Sequence, residues 1–171
     1  MLVPVTLLLS FMLLLLYHGP GKRSFVAGVF FLFLAGLTVE ILGVKTGLIF
    51  GEYVYGPTLG PKLFHTPLII GINWFMLVYC SLVIVTPFTE NRYFRAIIAA
   101  ILMVVYDFAL EPAAIWLEMW DWGGDVPIQN YLAWFVIAFL FALFSDRIML
   151  INKKNSLARA LFFIQLLFFI L

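Results

Sequence analysis

Six stretches of the chain are almost continuously apolar: about residues 2–17, 24–42, 67–87, 94–118, 130–150 and 157–171. Crossing roughly 30 Å of hydrocarbon takes about 20 such residues in a helix. The pattern therefore predicts an all-α, polytopic membrane protein with about six transmembrane helices. The first and last runs are short for a span and reach one only by tilting or by recruiting flanking residues. Apolar and polar positions do not alternate within the runs, which excludes a membrane barrel. The opening run lacks a basic stretch before it and a small-residue cleavage site after it, so it reads as a retained helix rather than a secretion signal. The whole chain, 1–171, is expected to form a single transmembrane domain.

Composition sharpens this reading. The chain is 65% hydrophobic and 11% charged, with a mean hydropathy of +1.12, which no soluble domain matches. Lys22, Arg23, Arg92, Arg95, Arg147, Lys153, Lys154 and Arg159 fall in alternate connections and mark the cytoplasmic side of the cell (inner) membrane. Lys45 and Lys62 lie in the long second connection, and Glu118, Asp121 and Asp125 follow the fourth run. Both termini are therefore expected to be extracytoplasmic. A net charge of +1 gives no reason to expect nucleic acid. Cys80 has no partner for a disulfide, and His18 and His65 are too few for a His-rich metal site. No Gly-rich nucleotide fingerprint or phosphate loop is present, so neither metal nor organic cofactor is expected.

The connection from 43 to 67 carries Gly43, Gly47, Gly51, Gly56 and Gly60 with Pro57, Pro61 and Pro67, beside Leu48, Ile49, Phe50, Tyr53, Tyr55, Leu63 and Phe64. Glycine and proline at this density break helices, whereas a merely solvated loop needs no such apolar side chains. The favoured reading is a long ordered outer loop that folds back as a lid on protein, since irregular backbone at membrane depth requires protein or water around it. Two others stay open. Gly43, Gly47 and Gly51 share a face if that part is helical, and an interfacial loop with aromatic anchors also fits.

Acids within the spans ask for chemistry. At 1.5 Å per residue, Glu40 lies roughly 24 Å from the cytoplasmic end of the second span, and Asp107 and Glu111 roughly 20 and 26 Å along the fourth. Asp107 and Glu111 stand one helical turn apart on one face, with no basic residue within a turn of either. Desolvation and like-charge repulsion both oppose ionisation, so at least one acid is expected to stay protonated near neutral pH and to be a usable proton donor. Pro112 removes a donor for the carbonyl of Phe108 and is expected to kink or loosen the helix there. Taken singly, Glu40 and Glu111 could each be side chains reaching the interface. Asp107, short and deeper, has less of that escape, and intramembrane acids point by default to function.

Candidate binding residues lie at similar depth or in the adjoining loops: Tyr53, Tyr55, Asn73, Trp74, Tyr106, Trp116, Asn130 and Trp134. Each aromatic alone is an ordinary interface anchor. Their convergence with the acids suits acid–base chemistry on a lipid-soluble molecule.

Glu40 with "TGLIFGEYVYGPTLGP" at 46–61, Pro67, "INW" at 72–74, "YDFALEPAA", "WDW" and "VPIQNYLAWF" together resemble the carotenoid biosynthesis membrane protein family, of the bisanhydrobacterioruberin hydratase and γ-carotene 1′-hydratase type, over roughly residues 36–146. The resemblance implies cofactor-independent addition of water to the terminal C1=C2 double bond of an acyclic carotenoid, giving a tertiary 1-hydroxy end. It implies a carotenoid substrate in membrane lipid and, as further partners, other enzymes of that pathway. On this reading Asp107 or Glu111 donates the proton, and Glu40 or the remaining acid handles the water. Two rivals stay open: a cyclase that begins with the same protonation, and a small transporter or scaffold using the same acids.

Overall fold

The structure, a computed structural model, describes residues 2–18, 23–148 and 155–171. Lys22, Lys153 and Lys154, which carry part of the orientation argument, and residues 149–150 of the fifth apolar run lie outside these. Among the described residues there are six helices: α1 (Leu2–His18), α2 (Arg23–Thr46), α3 (Ile69–Val85), α4 (Arg92–Trp116), α5 (Ile128–Ile148) and α6 (Ser156–Ile170). Four two-residue strands decorate the connections: β1 (Val54–Tyr55), β2 (Lys62–Leu63), β3 (Thr66–Pro67) and β4 (Trp120–Asp121). Only α2, α4 and α5 are long and apolar enough by themselves to cross a membrane. The apolar helices α1, α3 and α6 have 17, 17 and 15 residues. The fold is thus all-α, with three helices of spanning length where the sequence pattern predicts about six spans.

Helix α3 is the axle. It packs against the other five helices, and all but three of its residues are buried. Hydrophobicity all the way round is what a fully enclosed helix requires. Close approach to α2 depends on missing side chains. A Cβ at Gly36 would lie 2.6 Å from Trp74 Cβ, and one at Gly71 would lie 2.6 Å from the Phe33 carbonyl oxygen.

Helix α2 continues four residues past the apolar run and stops where Gly47 takes φ +65°. The Gly47 amide donates to the Gly43 carbonyl at 2.8 Å, a left-handed glycine cap of the usual kind. The alternative of Gly43, Gly47 and Gly51 on one helical face is thereby corrected, because two of the three lie beyond the helix. From there the connection folds back onto the bundle and buries Phe50, Tyr53, Leu59 and Thr66. Strand β1 pairs antiparallel with β4, Val54 opposite Asp121 and Tyr55 opposite Trp120. The Gly56 amide extends this ladder to the Met119 carbonyl at 2.9 Å. Gln129 Nε2 adds a third tie, donating to the Leu48 carbonyl at 2.6 Å. The connections after α2 and after α4 thus form one roof over the same end of the bundle.

The opposite end has its own polar ties. Arg95 of α4 meets Asp146 of α5 at 2.7 Å. His18 Nδ1 and the Tyr79 hydroxyl share a hydrogen bond of 2.7 Å, and Asn155 Nδ2 donates to the same hydroxyl at 3.1 Å.

Candidate active site

Beneath the roof, three carboxyl groups from two helices surround one hollow. Glu40 comes from α2; Asp107 and Glu111 come from α4. All three side chains are buried, and among the described residues none has a cationic partner. Buried acids without counter-charge need hydrogen-bond donors, and each has its own.

Glu40 is served by three groups. Tyr53 Oη donates to Oε2 at 2.6 Å, Tyr55 Oη to Oε2 at 2.8 Å, and Trp74 Nε1 to Oε1 at 2.9 Å. Both tyrosines come from the folded-back connection, so local chain reversal after Gly47 is what turns them toward α2. Burial first, and the adjacent Glu40 charge second, push the phenols of Tyr53 and Tyr55 far above their ordinary range. They remain protonated donors at any physiological pH.

Glu111 is served from the other half of the roof. Trp120 Nε1 and Trp122 Nε1 both donate to its Oε2 at 2.9 Å. This pairing needs the chain to reverse just after α4, where Glu118 takes φ +53°. Asp107 has a single donor: Asn130 Nδ2 at the start of α5 reaches its Oδ2 at 2.7 Å. Asp107 Oδ1 and Glu111 Oε1 receive no donor among the described residues. Helix α4 runs on through Pro112 to Trp116, so the expected loosening does not end the helix at the acids.

Of the residues offered by the sequence as binding groups, Tyr53, Tyr55, Asn73, Trp74, Asn130 and Trp134 line the hollow. Trp74 and Trp134 stack on each other in its wall, with ring centroids 4.3 Å apart. Two expectations are corrected. Trp116 is 81% exposed on the bundle surface. It follows Asp107 by nine residues, and nine steps of about 100° turn it to the opposite face of the helix. Tyr106 is buried and turns from the hollow toward α6, its hydroxyl 3.4 Å from Gln165 Oε1, where it lines an adjoining apolar groove instead. Trp120 and Trp122, which the sequence places at the exit of the fourth span but does not single out as binding residues, are the donors that reach Glu111. Their signal lay in "WDW": in an extended segment, residues two apart share a face.

The hollow itself is small, about 30 Å³, which is room for about two water molecules. Among the described residues, no three His, Cys, Asp or Glu side chains converge closely enough to grip a metal ion. The acids ring a space rather than meet at a point, an arrangement suited to passing protons to and from a trapped water.

A helical bundle with acids buried beneath a folded connection defines the class: an apolar, membrane-type protein with a water-sized acidic chamber. The sequence profile described as "Carotenoid biosynthesis protein" matches residues 2–171, and the chain belongs to that family. It is 30% identical over 117 residues to the bisanhydrobacterioruberin hydratase of Haloarcula japonica, covering 63% of this chain and 40% of that relative. The chain thus spans about two fifths of the length of the curated relative it matches. No solved structure matches it significantly.

Proposed function

We propose that the chain is a carotenoid hydratase that adds water across the terminal C1=C2 double bond of an acyclic carotenoid end group. The observation that carries the reading is the chamber: three buried carboxyls, each held by its own donors, around space for water and little else. The hydratase named among its relatives supports the substrate class. The same proposal holds that all six helices cross the cell membrane, the shorter ones tilted or completed by flanking residues, with the roof and both termini on the extracytoplasmic side. Membrane lipid surrounds the bundle, and other carotenoid enzymes supply or consume its pigments.

The reaction needs an acid strong enough to protonate an alkene and a base for the water. Asp107 is assigned as the acid, because it has one donor and one unengaged oxygen. Its proton passes to C2, the π electrons form the new C2–H bond, and C1 becomes a tertiary cation. A lone pair of the trapped water forms the C1–O bond, and the water's surplus proton passes to Glu40. Transfer of that proton back to Asp107 restores the site, so alkene plus water gives a tertiary alcohol. Glu111 and the indole faces of Trp74 and Trp134 stabilise the cation electrostatically. The family resemblance implies no cofactor, and none of these steps requires one.

Expression in a lycopene-producing host, followed by mass analysis of the pigments, tests this. The expected product is heavier by one water; an isomer of unchanged mass means ring closure and overturns the reading. Asp107→Asn and Glu40→Gln are each expected to lower product formation about 10²- to 10⁴-fold, with the amount of folded protein unchanged. Wild-type yields from both would remove the assignment.

A further inference from the structure

Two large apolar grooves flank α1, and only one of them shares lining residues with the acidic chamber. The first, about 410 Å³, is lined entirely by side chains such as Phe11, Val29, Phe33 and Phe75 and shares no residue with the acidic chamber. The second, about 450 Å³, runs between α1 and α6 over α3 and α4. It shares Ile70, Asn73, Leu110 and Trp120 with the chamber.

We infer that this second groove holds the terminal part of the polyene, so that the alkene meets the acids across the wall of Ile70, Asn73, Leu110 and Trp120 that groove and chamber share. The inference rests on the hydratase reading and adds to it where the substrate lies. Volume makes the division: the chamber admits about two waters and is too small for the polyene chain, whereas the adjoining groove is some fifteen times larger (450 against 30 Å³) and brings the reacting double bond to the wall the two share. Access agrees. Leu2, Ile164 and Phe168 on the groove's rim are strongly exposed, so the groove opens sideways between α1 and α6. A lipid-soluble molecule enters from the bilayer interior without passing the headgroups.

Extent and selectivity follow. From Leu161 to Phe169 the α6 wall runs about 12 Å at 1.5 Å per residue, so the groove encloses one end of a long polyene and leaves the rest in lipid. Moving a polyene from lipid into an apolar groove gains little hydrophobic energy, because the lipid is equally apolar. Width and the chemistry at the inner end must therefore select. At that inner end the Asn73 side-chain amide has no hydrogen-bond partner among the described residues. It stands where groove and chamber meet and is free to bind the hydroxyl as it forms.

The test uses the purified full chain in detergent with lycopene as probe. A polyene without chirality acquires a visible circular-dichroism band only when a chiral site holds it. Leu161→Trp and Leu7→Trp narrow the groove from opposite walls; Val29→Trp fills the other groove. The induced band at fixed lycopene and the rate of water addition are expected to fall at least tenfold in the first two and to stay within twofold of wild type in the third. Leu7→Trp decides alone if Leu161→Trp does not fold. Asp107→Asn is expected to keep the induced band while forming no product. Normal binding and turnover in both groove variants, or loss in Val29→Trp instead, overturns the groove assignment alone. Binding that depends on the groove without any water adduct in wild type overturns the hydratase reading instead.

Discussion

At the scale of single residues, the site is a matter of which donor meets which oxygen. Glu40 takes both phenols of the roof on one oxygen and an indole on the other, and a hydrogen bond to a charged group contributes about 1.5–3 kcal/mol. Tyr53 and Tyr55 make this dependence measurable. Their folded-state ionisation is raised above the ordinary phenol value of 10, so the unfolded chain loses these protons first. Stability from the two phenols is fully present below about pH 10 and declines as the pH rises beyond it. Thermal unfolding in detergent between pH 8 and 11 is expected to show a falling midpoint above pH 10, with a shallower fall in Tyr53→Phe. An equal slope in both proteins would mean that the phenol is not shielded as described. The acids and most of their partners were legible in the chain because charge in an apolar run is conspicuous. That Trp120 and Trp122 pair with Glu111 was not, since nothing in helical spacing foretells that the chain doubles back at Glu118. Trp116 misled for the complementary reason: proximity in sequence to Glu111 is not proximity on a helix.

Among the elements, the apolar runs located every helix, and the observed ends differ from the runs by only a few residues. What periodicity could not give was rank. Composition makes α3 look like any other span, yet it is the buried axle, a fact set by its neighbours. The connection after α2 was legible as a packed lid from its aromatic content, but its pairing with β4 joins segments more than 60 residues apart and has no local signal. Helix α6 depends on a particular start. Asn155 accepts the Ala158 amide through Oδ1 while its Nδ2 reaches Tyr79, so one side chain both caps α6 and ties it to α3. Loss of a cap costs about 0.5–2 kcal/mol. Asn155→Ala is expected to lower the unfolding midpoint by several degrees in detergent while Asn155→Asp, which keeps the cap but not the amide donor, recovers part of it. Identical midpoints for the two variants would refute the double role.

For the molecule as a whole, the two ends do different work. The roof end holds the three buried carboxyls, while the other is fastened by Arg95 and Asp146, whose side chains are only 11% and 7% exposed. Removing one member of a buried pair strands the other's charge and costs about 3–5 kcal/mol. Arg95→Ala should therefore destabilise the fold more than the double change Arg95→Ala with Asp146→Ala, read as unfolding midpoints. The reverse order would show the pair to be exposed to solvent in practice. The pairing of Val54 with Asp121 and Tyr55 with Trp120 has a consequence for how the chamber opens. One phenol for Glu40 and one indole for Glu111 sit on the two strands of a single ladder, with Tyr53 and Trp122 directly beside it, so lifting it withdraws donors from both carboxyls together. Glu40 would then keep the Trp74 indole alone, and Glu111 neither of its two.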